Sequence, residues 1–71
     1  MPATWTWRYE RTDGTVVDPP ADVPAGFPAQ ADAETWVGEE WRRLLDAGVD
    51  AVTLLEGDRV VYGPMSLHPT A

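Results

Sequence analysis

The sequence predicts an α+β fold: a small antiparallel sheet of about four strands, in the order β-β-α-β-β, with one helix packed on one face. Three observations carry that reading. Residues 4–10 alternate strictly between polar and aromatic and run into a turn dipeptide. Residues 30–47 carry an apolar stripe with helical period. Two Val- and Leu-rich runs then flank a second turn dipeptide, Gly57-Asp58. At 71 residues the chain has room for one domain, 1–71. So short a chain buries a small fraction of its surface and holds no Cys for a disulfide staple. The four Trp offer the missing core area, at about 200 Å² each.

Thr4-Trp5-Thr6-Trp7-Arg8-Tyr9-Glu10 is a strand with two unlike faces, aromatic at odd positions. Asp13-Gly14 suits a two-residue type I′ turn, and Thr15-Val16-Val17 reads as the returning strand. That register pairs Arg11 with Val16 and sets Val16 on the face of Trp5, Trp7 and Tyr9. An apolar partner there favours burial of the aromatic face.

Residues 18–29 hold four prolines, which no helix or central strand tolerates at that spacing. They form a Pro-rich connecting loop, with Val23 and Phe27 as anchors onto the core. A loop this long in so small a domain is a place to suspect function, and a plain crossover explains it equally well.

From Gln30 to Ala47, the residues Ala33, Val37, Trp41 and Leu44 fall on one helical stripe, flanked by Trp36 and Leu45. Gly48 stops this helix, and Val49 folds back on Leu44 as in a Schellman motif. Its start lacks a capping side chain, because Ala29 stands where Ser or Thr is favoured. Gly38 in mid-helix costs about 1 kcal/mol against Ala; close approach of a strand, of Trp5 or of Trp7 would explain it, and so would drift.

Residues 51–56 and 59–63 form the second hairpin about Gly57-Asp58, pairing Glu56 with Arg59, Leu55 with Val60, Leu54 with Val61 and Thr53 with Tyr62. Both of its faces are apolar in this register. Val52, Leu54 and Val61 line one; Leu55, Val60 and Tyr62 line the other. One helix covers only one face of a small sheet, so the second must meet the loop, the tail or another molecule. Residues 64–71 read as a C-terminal tail, and its Met65 and Leu67 are one candidate cover for that second face.

Composition narrows the chemistry. Twelve Asp and Glu against five Arg leave a net charge of −7, which disfavours nucleic acid and anionic membranes as partners. One His and no Cys leave only scattered carboxylates as metal ligands, and the absence of Lys removes the Walker loop and Schiff-base chemistry. Ser66 and His68 stand two apart near the end, where a nucleophile–base pair would lack both an orienting acid and a pocket. The expectation is therefore no enzyme, no metal and no cofactor. No apolar run is long enough to span a membrane, and the start Met-Pro-Ala-Thr-Trp carries no basic or apolar leader, so the expected location is cytoplasmic.

The stretch from Phe27 to Pro69, above all residues 31–36, 40–45, Gly48-Val49 and 61–67, resembles a group of short uncharacterised proteins of GC-rich actinobacteria, a resemblance that implies no activity. The helix, the Gly-initiated strand and a last strand ending near Gly63-Pro64 are also similar to SPOR-type glycan-binding domains, from which the Trp-x-Trp-x-Tyr strand and the Asp13-Gly14 hairpin depart.

The leading functional reading is a small acidic interaction module, binding a protein partner or itself as a homodimer. The face Leu55, Val60 and Tyr62 would make the contact, with the acidic residues Asp32, Glu34, Glu39 and Glu40 at its rim. Two alternatives stand beside it. The row Trp5, Trp7 and Tyr9, with rings about 6.8 Å apart along the strand, would stack on a glycan or on a Pro- or Arg-rich peptide. The acidic surface would otherwise mimic nucleic acid and inhibit a basic protein.

Overall fold

The structure is a computed structural model and describes residues 4–20 and 22–68. Strand β1 (Trp5–Glu10) is followed by helix α1 (Gln30–Asp46), then by β2 (Ala51–Glu56) and β3 (Arg59–Ser66). The three strands form one antiparallel sheet in the order β1-β2-β3, with α1 across one face. The α+β class holds. The expected fourth strand and the β-β-α-β-β order do not, because residues 15–17 supply only an isolated bridge between Val16 and Glu10.

The first turn explains that loss. It uses three residues rather than two: the Gly14 N–H donates to the Arg11 carbonyl, the Arg11 N–H donates to Thr15, and Gly14 sits at φ 88°. This shifts the return by one position. Val17, whose N–H donates to Tyr9 at 2.8 Å, packs against the core, while Val16 is 61% exposed on the other side. Asp18-Pro19-Pro20 then ends the pairing at once, since proline has no N–H to donate.

The loop runs on along the outer edge of β1 and rejoins it at Phe27, which exchanges two backbone hydrogen bonds with Trp5 at 2.7 and 3.0 Å. Phe27 is buried and Val23 packs against the core, so both expected anchors are in place. Ala21 of this loop and residues 69–71 of the expected tail lie outside the described residues.

Helix α1 buries Ala33, Val37 and Leu44, and Trp36 and Trp41 pack on either side of that stripe. Its N-cap, Ala29, makes no side-chain hydrogen bond. At the other end the Val49 N–H reaches the Leu44 carbonyl at 2.9 Å and the Gly48 N–H reaches Leu45 at 3.0 Å, the Schellman pattern.

Strand β2 is central, and its Val52 and Leu54 face the helix opposite Tyr9 and Trp7. The hairpin starts in the expected register, Glu56 with Arg59 and Leu55 with Val60. Beyond that it shifts: Leu54 pairs with Tyr62 instead of Val61, and Val52 pairs with Met65. The cause is non-local. A Cβ on Gly63, at φ 130°, would lie 2.7 Å from the Thr53 Cα, so the two backbones meet where no side chain fits and β3 bulges around the contact. Strand β3 then continues to Ser66, into the segment expected to be tail.

Candidate functional site

The register shift decides which residues share a surface. Tyr62 turns to the helix side, where its ring meets Trp7 edge-on at 6.2 Å between centroids and its hydroxyl donates to Glu34 of α1 at 2.7 Å. Leu55 and Val60 stay paired on the far face. The structure therefore does not bring Leu55, Val60 and Tyr62 together. Around Leu55 and Val60 the far face is mixed. Thr53 is buried there and donates its hydroxyl to the buried Glu10 carboxylate at 2.5 Å, and Arg8 reaches the same carboxylate oxygen at 3.3 Å.

The aromatic row is core. Trp7 and Tyr9 are 5% and 6% exposed, and the Trp7 indole N–H donates to the Ala33 carbonyl at 3.0 Å. Trp5 is half-buried against the same cluster. Rings packed under a helix present no platform to a ligand. Burial also pushes the Tyr9 phenol up to about 12; burial and then the Glu34 hydrogen bond push Tyr62 up to about 12.

The four acidic residues are divided. Glu40 pairs with Arg43, which also bonds Asp22 of the loop at 2.5 Å and so holds that carboxyl below its ordinary range. Glu34 faces β3 through Tyr62, while Asp32 and Glu39 point to solvent from the outer side of α1. They make two surfaces, not one rim.

Met65 and Leu67, candidates to cover the far face, lie instead on the helix side. With Val37 and Trp41 of α1, and with Ser66, they line an open apolar groove of about 250 Å³. The groove runs between α1 and β3. A larger cleft of about 400 Å³ separates β1 from the loop, with Thr6, Pro24 and Leu55 among its lining residues. Its charged members, Arg8 and Asp18, are opposite in sign, and Arg8 is already tied to Glu10.

The chain end brings one surprise. Asp50, just before β2, supplies the acid that the sequence did not place near His68: its carboxylate lies 2.7 Å from the imidazole Nε2. The His68 hydrogen bond holds the Asp50 carboxyl below its ordinary range. Ser66 Oγ, however, accepts from the His68 backbone N–H, and among the described residues no hydrogen bond joins the ring to Ser66. The trio pins the chain in place, with the Leu67 N–H on the Asp50 carbonyl at 2.9 Å. Among the described residues no group of three His, Asp or Glu could hold a metal ion, and no helix is long and apolar enough to cross a membrane.

The sequence pattern did not point to this groove: Trp41 falls on the apolar stripe itself, and close approach of a strand, of Trp5 or of Trp7 was the expected reason for Gly38. The structure does not bear that reason out, since among the described residues a Cβ built at Gly38 meets nothing within 4 Å. No protein-family model matches the chain, and no curated protein or solved structure matches it.

Proposed function

We propose that the chain is a protein-interaction module whose contact surface is the groove between α1 and β3. The observation that carries this reading is an asymmetry between the two sides of the sheet. The chain closes the outer edge of β1 with its own residues, through Val17 and Phe27. Among the described residues no backbone hydrogen bond covers the outer edge of β3. The apolar groove opens on that uncovered side. Pockets for small organic ligands usually run from about 300 Å³ upward. At about 250 Å³ this groove suits one or two side chains of a protein partner better.

Edge strands left open are normally blunted, and β3 carries Gly63, Pro64 and two register shifts between Val60 and Met65. That favours a partner that inserts side chains beside the strand over one that adds a strand to it. A photo-activated cross-linking residue at position 65, compared with one at position 60, tests the reading in cells. Protein adducts at 65 and few at 60 are expected; no adducts at 65, or the stronger set at 60, would refute it.

A further inference from the structure

We infer that the partner at this surface is a second copy of the chain, packed as an antiparallel α1–α1 pair across Gly38; this rests on the reading of the groove as a contact surface. On the flank of α1 that faces β3, the residues Ala31, Glu34, Gly38, Arg42 and Leu45 fall within an arc of about 80° at 100° per residue. The first four are exposed and Leu45 is half-buried. The pattern is symmetric about its centre. Glu34 and Arg42 stand four residues either side of Gly38, and Ala31 and Leu45 stand seven either side.

A two-fold axis at Gly38 therefore sets each Glu34 against the other copy's Arg42, and each Leu45 against the other copy's Ala31. This is the self-complementarity that an isologous contact requires. The side chains are free to make it. Arg42 lies over the Trp41 ring at 5.1 Å and joins no ion pair among the described residues. Glu34 accepts from Tyr62 and Gln30 through Oε2, which leaves Oε1.

Gly38 gives the crossing point its shape. Helix axes approach as closely as the side chains between them permit, and the space over Gly38 is open. The mid-helix cost of this glycine has no return among the described residues of one molecule and has one in the pair. The second helix then lies at the mouth of the groove, over the half-buried Trp41 and over Met65, which is 39% exposed. Charge selects this flank over the others. A two-fold contact on the outer side of α1, where Asp32, Glu39 and Asp46 recur every seven residues, would oppose like charges in a chain of net charge −7.

Sedimentation equilibrium of the purified chain, from micromolar to millimolar, tests the pairing. A monomer–dimer equilibrium is expected, with the dissociation constant raised about tenfold by Glu34→Arg or Arg42→Glu alone, since each makes two like-charge contacts. The double swap should restore it. Gly38→Leu should abolish the dimer, and Val60→Asp on the far face should leave it unchanged. A monomer at every concentration, a double swap no better than the single ones, or a dimer lost only in Val60→Asp would overturn the inference. Adducts at position 65 to a different protein, from a chain that stays monomeric, would overturn this pairing while the groove reading stood; no adducts at 65 would remove both.

Discussion

The same substitution at two glycines should change stability in opposite directions. At Gly63 an alanine meets two penalties. The backbone is held at φ 130°, and the new Cβ would stand 2.7 Å from the Thr53 Cα and 2.8 Å from its Oγ1. An L residue forced into such a conformation costs about 1–3 kcal/mol. Overpacking against a central strand, which has nowhere to retreat, adds about 1–3 kcal/mol. A sum near 4 kcal/mol compares with a total stability of about 4–11 kcal/mol for a chain of this length. Gly63→Ala should therefore melt at least about 15 °C lower or fail to fold. At Gly38 the new methyl enters open space on a helix, and the gain in helix propensity is about 1 kcal/mol, or about 4–8 °C in Tm. Thermal and urea unfolding followed by circular dichroism, at concentrations too low for association, reads both. A Gly63→Ala variant within 0.5 kcal/mol of the parent would refute the bulge, and with it the placement of Tyr62. A destabilised Gly38→Ala would show that the helix is packed there after all.

Other predictions follow from single contacts. Trp7→Phe removes the buried indole donor and leaves the Ala33 carbonyl without it, so a loss of about 2 kcal/mol is expected in urea unfolding. Ala29→Thr adds the missing N-cap hydrogen bond and should stabilise by about 1 kcal/mol; an unchanged melting temperature would count against this helix start. Both tyrosines are raised to about 12, above their unfolded value, so their stabilisation is whole below about pH 10 and lost as pH rises towards 12. Absorbance at 295 nm should show no phenolate near pH 10 in the folded chain. Asp50 is lowered, so its contribution is present above the unfolded carboxylate range and disappears as pH falls through the folded value. His68→Ala should shrink this acid-side stability change, and an identical acid limb would exclude the Asp50–His68 contact.

What could be read from the chain is what depends on neighbours in sequence. The helix is legible to within one residue because its period is strong and Gly48 ends it, and the first two pairs of the second hairpin follow from the turn at Gly57-Asp58. The anchoring of the loop by Phe27 was legible for the same reason, as an isolated large apolar residue among prolines. The misses are all long-range. Whether Asp13-Gly14 makes a two- or three-residue turn depends on where Val17 finds its partner and core, and one residue of difference reverses the faces of Val16 and Val17. The bulge in β3 depends on Thr53 meeting Gly63, and it moves Tyr62 from a presumed surface to the helix side. Met65 and Leu67 follow the same shift into the groove. The mid-helix glycine was visible from the start, but its symmetric surroundings mean something only once that flank is seen to face open space.

The claim that the α1–β3 side is the contact surface is tested most directly by adding a soluble paramagnetic chelate to a labelled sample and recording NMR spectra when dilute and when concentrated. The account predicts that the Gly38 amide, the Trp41 indole and the Met65 methyl are attenuated in the dilute sample and protected in the concentrated one, with Val60 attenuated in both. Protection that appears at Val60 and Leu55, with Gly38 and Met65 still attenuated, would contradict it.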